Sequence, residues 1–232
     1  MSSPALAVIH EHPSWQEPLF EVLDRRGVDY VAYDLKSAAF DPDRAIQPSV
    51  IFNQASPSAY VRGNGHTVSF ALALLEDLES SGLKVLNGSA AFRLELSKIA
   101  QVRLMRQLGM DYPRTVAFNR VEALEELGKA IRFPAILKPN QGGSGARMVE
   151  VGSLGELTDV LHADPSLWNP DPVLLLQEKL EHDPVQEGIV RMEFLDGELL
   201  YAMRVVGGSG FNLCPSVDCN PEGDEDGTCA IP

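Results

Sequence analysis

The chain has 232 residues, 33 of them acidic and 19 basic, for a net charge of −14. With 44% hydrophobic and 22% charged residues it has the make-up of a globular protein, which excludes disorder, collagen-like repeats and a disulfide scaffold. The surplus of carboxylates argues against a nucleic-acid partner, which would require a basic patch, and no apolar run approaches the roughly 18 residues of a membrane span.

The first residues, Met-Ser-Ser-Pro-Ala, lack the basic and then apolar regions of a secretory signal. Cys214, Cys219 and Cys229 all fall near the end, an odd and sparse set that a reducing compartment tolerates, so the chain reads as cytoplasmic.

In chain order, residues 5–9 read as a buried strand. From Ser14 a helical spacing places Leu19, Val22 and Leu23 on one face and closes at Arg25, Arg26 and Gly27. Strands are expected at 28–33 and 49–52, a helix at 67–78 ending near 80–82, and a short strand at 84–86. Strands alternating with helices imply a parallel sheet covered by helices, an α/β unit. The second part has an α+β character. A helix over 93–108 stops at Gly109, an acidic helix covers 121–131, and strands 133–138 and 147–151 flank a glycine-rich loop as a hairpin. A helix at 153–161, an apolar strand at 173–177 and a second hairpin, 189–195 with 199–206 through Asp196-Gly197, follow. Residues 207–232, rich in Gly and Pro, read as loop or as the cut end of something larger.

The segment 133–147 carries the most chemistry. Alternation puts Ile136 and Lys138 on one face of their strand, so a cation emerges beside an apolar wall just before a loop of bare backbone. That suits a nucleotide: the wall covers a purine, the ammonium reaches a phosphate oxygen, and the amides of Gly142, Gly143 and Gly145 approach phosphates closely. The loop is neither a Walker loop nor a dinucleotide fingerprint, because it joins strand to strand. Taken alone, the same residues also fit a flexible hairpin tip with a strand-end lysine in water. Lys98, in a helix, and Gln177-Glu178, ending an apolar strand, accompany the segment.

Asn87-Gly88, Ser97-Lys98, Gly109 to Thr115, Lys138-Pro139 with its glycine loop, Gln177-Glu178 and the hairpin ending at Arg204 occur in an order that resembles the ATP-grasp superfamily. The branch is the glutathione-synthetase-like or ribosomal-protein-glutamate-ligase-like one, without its C-terminal part. The resemblance implies a pre-ATP-grasp parallel α/β domain at 1–88 and an incomplete ATP-grasp domain at 89–232. The latter divides into a lysine and glycine-loop subdomain of about 98–180 and a partial C-terminal subdomain, 181–232. Lys98 and Lys138 then correspond to the lysines that hold the α- and β-phosphates. Gln141, Gly142, Gly143, Ser144 and Gly145 correspond to the loop closing over the β- and γ-phosphates, and Ile136 to the apolar wall. Gln177, Glu178, Lys179 and Leu180 match the hinge that grips adenine, and Glu187 the acid on the ribose, with Asp183 as its rival. Arg191 and Arg204 resemble catalytic arginines facing phosphate or substrate carboxylate, although Arg191 also fits a sheet-surface charge opposite Glu193 or Glu198.

The implied chemistry is ATP-dependent carboxylate–amine ligation through an acylphosphate, with Mg2+ bridging the phosphates and small-molecule or peptide carboxylates and amines as substrates. A homodimer would be usual for such proteins. The family's metal ligands are expected beyond Pro232, so a chain ending there would be an inactive ligase or, as the alternative, a non-catalytic nucleotide-binding module. The acidic tail, Asp218, Glu222, Asp224, Glu225 and Asp226, reads as solvated loop rather than a metal site. His10-Glu11-His12 reads as polar side chains in solvent rather than a metal site, and Asn53 as a strand-end residue that could touch substrate.

Overall fold

The computed structural model describes residues 4–43, 48–143, 145–181, 188–205 and 211. Its contacts divide the chain into two units, Met1–Gln101 and Val102–Pro232.

In the first unit, β1 (Leu6–His10) is followed by α1 (Pro13–Arg25), β2 (Tyr30–Asp34), β3 (Val50–Gln54), α2 (His66–Ser80), β4 (Lys84–Leu86) and α3 (Ser89–Glu95). The four strands are parallel in the order β2-β1-β3-β4. Proline at the start of α1 removes one of the amides that the first turn would leave unpaired, and Gly27, at φ +65°, lets the chain reverse so that the Val28 amide reaches the Leu23 carbonyl. Helical spacing sets Val68, Ala71, Leu74, Leu75 and Leu78 along one side of α2, where they bury against Ala7, Ile9 and Ile51 of the sheet. The strand order reverses direction between β1 and β3, and His10, Glu11 and Asn53 stand at the carboxyl ends of those two strands.

The second unit contains β5 (Thr115–Phe118), α5 (Leu124–Leu127), β6 (Ala135–Pro139), β7 (Val149–Val151), α6 (Leu154–Ala163) and β8 (Leu174–Glu178). Helix α4 (Lys98–Gln107) crosses the division between the units. The sheet has the order β5-β8-β6-β7, and every pairing in it is antiparallel. Ser153 caps α6 by accepting the Glu156 amide at 3.1 Å, while the Glu156 carboxylate accepts the Gly152 amide at 2.8 Å.

The register sorts this sheet into two faces. Phe118, Ala135, Leu137, Val151, Leu174 and Leu176 point one way and join Leu124, Ile131, Leu157, Leu161 and Leu167 in the core. The opposite face carries Thr115 and Ala117 of β5, Leu175 and Gln177 of β8 with Lys179 just beyond it, Ile136 and Lys138 of β6, and Glu150 of β7. Two further strands, β9 (Ile189–Leu195) and β10 (Glu198–Val205), form a separate antiparallel hairpin. Asp196 and Gly197, at φ 52° and 82°, make the tight turn expected of that dipeptide.

Several local expectations change. The helix expected over 93–108 is two helices, because the Ser97 hydroxyl accepts the Ala100 amide and starts α4 afresh, while the Gln101 side chain donates to the Leu94 carbonyl of α3. The acidic helix over 121–131 is broken into 3₁₀ turns at Val121–Ala123 and Gly128–Ala130 around one turn of α5, consistent with a glycine inside the segment and crowded carboxylates. Strand β5 was not anticipated. Nor do His10 and Glu11 lie on the surface: they are 2% and 1% exposed.

Candidate functional site

Lys138 is partly buried on the face turned away from the core, and its Nζ donates to Gln177 Oε1 at 2.6 Å. Gln177 Nε2 donates to Thr115 Oγ1 at 2.7 Å, and that hydroxyl donates to the Pro113 carbonyl at 2.8 Å. Burial holds the Lys138 ammonium below the ordinary lysine range, because a charge removed from water without a counter-charge favours its neutral form. Among the described residues no carboxylate lies within ion-pair distance of it. Ile136, partly exposed, lies on the same face as an aliphatic wall beside Lys138, with the fully buried Leu175 beneath it. At its edge Lys179 Nζ meets Glu150 Oε2 at 2.7 Å.

The strand leads straight into the glycine loop. Asn140, 8% exposed, anchors the loop's start: its amide donates to the Val173 carbonyl at 3.0 Å and its side chain to Asp171 at 2.7 Å. Gly142 at φ 136° takes a conformation that residues with a Cβ rarely adopt. Past the loop, Arg147 donates to the carbonyls of Ser166, at 3.0 Å, and Asn169. Among the described residues the arrangement is a partly buried cation with no paired carboxylate, beside an apolar wall and a run of backbone amides, which suits a polyanion carrying an apolar ring.

The other expected residues are placed as follows. Glu178 points to the opposite face from Gln177, toward Arg132, whose backbone amide donates to it at 3.3 Å. Leu180 is 62% exposed. Lys98 opens α4 in the first unit, whereas Lys138 is in the second. Arg191 stands opposite Met203 and Arg204 opposite Val190, so strand alternation sends the two arginines to opposite faces of the hairpin. Ser144, Glu187 and its rival Asp183, the three cysteines and the acidic tail lie outside the described residues. Among the described residues no group of three or more His, Cys, Asp or Glu side chains could hold a metal ion, and none of the helices is long and apolar enough to cross a membrane.

Thr115, Asn140 and Glu150 were not anticipated as parts of this face. Thr115 could have been found from the four-residue run Thr-Val-Ala-Phe, whose alternation sets it on one face with Ala117. Asn53 donates from its side chain to the Asn87 carbonyl at 2.9 Å and accepts the Ala55 amide at 3.0 Å, so it ties together the ends of β3 and β4.

The chain has the ATP-grasp fold. It superposes on a RimK-domain ATP-grasp protein of Sphaerobacter thermophilus with a TM-score of 0.65 at 18% identity, covering 86% of this chain and 72% of that one. D-cycloserine synthetase DcsG matches with a TM-score of 0.63 at 16% identity, over 86% of this chain and 67% of that one. The ATP-grasp ligase PsnB, in a complex with a precursor variant, Mg and ADP, matches with 0.59 at 21%, over 89% and 73%.

Two curated proteins are similar in sequence. Carbamoyl phosphate synthase large chain of Pyrococcus furiosus is 27% identical over 137 residues, 55% of this chain and 13% of its own length. N5-carboxyaminoimidazole ribonucleotide synthase of Synechococcus elongatus is 32% identical over 105 residues, 45% of this chain and 26% of its own length. The chain thus spans about a quarter or less of the curated relatives it matches. No family model matches it.

Proposed function

We propose that the Lys138 face binds the phosphates of ATP and that the chain serves ATP-dependent ligation of a carboxylate to an amine through an acylphosphate. The observation that carries this reading is Lys138 itself, a partly buried ammonium whose tether is a neutral amide. Such a group costs stability in the free protein and recovers it only against an anion. The fold shared with ATP-grasp ligases, one of which holds Mg and ADP, supports the choice of anion.

On this reading the base lies against Ile136. Lys138 neutralises oxygens of the α- and β-phosphates, and the backbone amides of the glycine loop face the β- and γ-phosphates. The bond from the γ-phosphorus to the β–γ bridging oxygen breaks as a substrate carboxylate oxygen attacks. An amine then attacks the acyl carbon and inorganic phosphate leaves. The electrostatic share of this chain's own residues is to offset negative charge that grows on the leaving β-phosphate. Among the described residues no group of three or more His, Cys, Asp or Glu side chains gathers here, so a magnesium ion at this face would be held chiefly by the phosphates it bridges.

The test is a calorimetric titration of ATP into the 232-residue chain, alongside a melt with ATP present. Ligand at 100 times its Kd should add about 2.7 kcal/mol to stability. Absence of both heat and stabilisation would refute nucleotide binding. Phosphate release with magnesium, amino acids and peptides separates a ligase from a module that binds nucleotide without turnover.

A further inference from the structure

We propose that Gln177 is a positioning residue that aims the Lys138 ammonium at its anion while leaving the positive charge uncompensated. The inference rests on the nucleotide reading above. It comes from the directions of three hydrogen bonds, each forced by chemistry. An ammonium only donates, so the Gln177 oxygen must face Lys138. The Pro113 carbonyl only accepts, so the Thr115 proton is committed to it and the Thr115 oxygen must accept from the Gln177 nitrogen. The amide is therefore held at both ends and cannot rotate without losing two bonds.

No other common side chain of this shape meets both demands. A carboxylate would accept from Lys138 but has no proton for Thr115, and it would neutralise the charge that an incoming phosphate needs. A leucine would fill the space and tether nothing. The charged groups on the same face do not replace the tether: Glu150 of β7 and Lys179 beyond β8 are paired with each other, and β5 contributes the uncharged Thr115 and Ala117. The amide thus joins three strands, β5, β8 and β6, into one support beneath the lysine.

The test measures ATP affinity against pH for the 232-residue chain and its Gln177→Glu, Gln177→Leu, Thr115→Val, Thr115→Ser and Lys138→Ala variants, with circular dichroism to verify folding. Gln177→Glu, which preserves shape, should weaken ATP binding at least about tenfold at neutral pH. It should also move the alkaline loss of affinity to higher pH, because the new carboxylate favours the charged lysine. Thr115→Val should weaken binding by less, and Thr115→Ser, which keeps the hydroxyl, should bind as the parent does. A role confined to packing would change the melting temperature and leave the alkaline limb in place.

If folded Gln177→Glu binds ATP with the parent's affinity and an unmoved alkaline limb while Lys138→Ala has lost affinity, the positioning role is refuted and the nucleotide site stands. If Lys138→Ala also binds as the parent does, the nucleotide reading falls and this proposal falls with it.

Discussion

Arg62 of the first unit and Lys138 of the second are both cations drawn at least partly out of water, and the two are treated differently. Arg62 in the first unit donates to Glu11 Oε2 at 2.5 Å and lies 4.6 Å over the Trp15 ring, while Asn64 donates to the other Glu11 oxygen at 2.5 Å. The Glu11 side chain is 1% exposed and that of Arg62 10%, so charge and hydrogen bonds are balanced inside the fold. Among the described residues, Lys138 in the second unit is held by a neutral amide alone. A balanced network holds a loop to a strand end and needs nothing more. An unbalanced one is what the proposed phosphate site requires.

Breaking the balanced network should give the largest effect. Arg62→Met strands the Glu11 carboxylate in the core and should lower stability by about 3–5 kcal/mol in urea denaturation. A loss under about 1 kcal/mol would mean that the ion pair does not organise the first unit.

The pH dependence sharpens the contrast from the other side. Binding of phosphate requires charged Lys138, and burial lowers its pKa from the ordinary 10.5, so ATP affinity should begin to fall at a lower pH than for a solvated lysine. Stability of the free chain should move the opposite way. The folded-state pKa lies below the unfolded one, so the cost of the charged form is present at neutral pH and is relieved as pH rises through the folded pKa toward 10.5. Calorimetry and denaturation over the same pH series should show the two trends diverging.

The smallest effect is expected at the exposed pair. Glu150 and Lys179 side chains are 41% and 34% exposed, so Glu150→Gln should change stability by no more than about 1 kcal/mol. A larger loss would place this pair with the balanced network rather than on a solvated edge.

Much of this was legible in the sequence. Alternation showed that Ile136 and Lys138 share a face, the regular alternation of strands and helices marked the parallel sheet of the first unit, and Asp196-Gly197 marked the hairpin. The supports were hidden because they depend on pairing between distant segments. Thr115 and Gln177 meet only because β5 lies beside β8 in one register. Glu11 looks like a solvated carboxylate until the residue that balances it, 51 positions away, is brought beside it. The opposite facing of Arg191 and Arg204 likewise follows from register: the residues pair with Met203 and Val190, not with each other. A single shift in pairing would have put them on one face.

The most direct test measures stability and ATP affinity together on Lys138→Met. Methionine keeps the stem's volume and removes the charge. Stability should equal or exceed that of the parent, while ATP binding should weaken roughly 10- to 150-fold, the loss expected for one charge-assisted hydrogen bond. A stability loss on the scale of Arg62→Met with ATP affinity unchanged would contradict the account and make Lys138 a structural cation like Arg62.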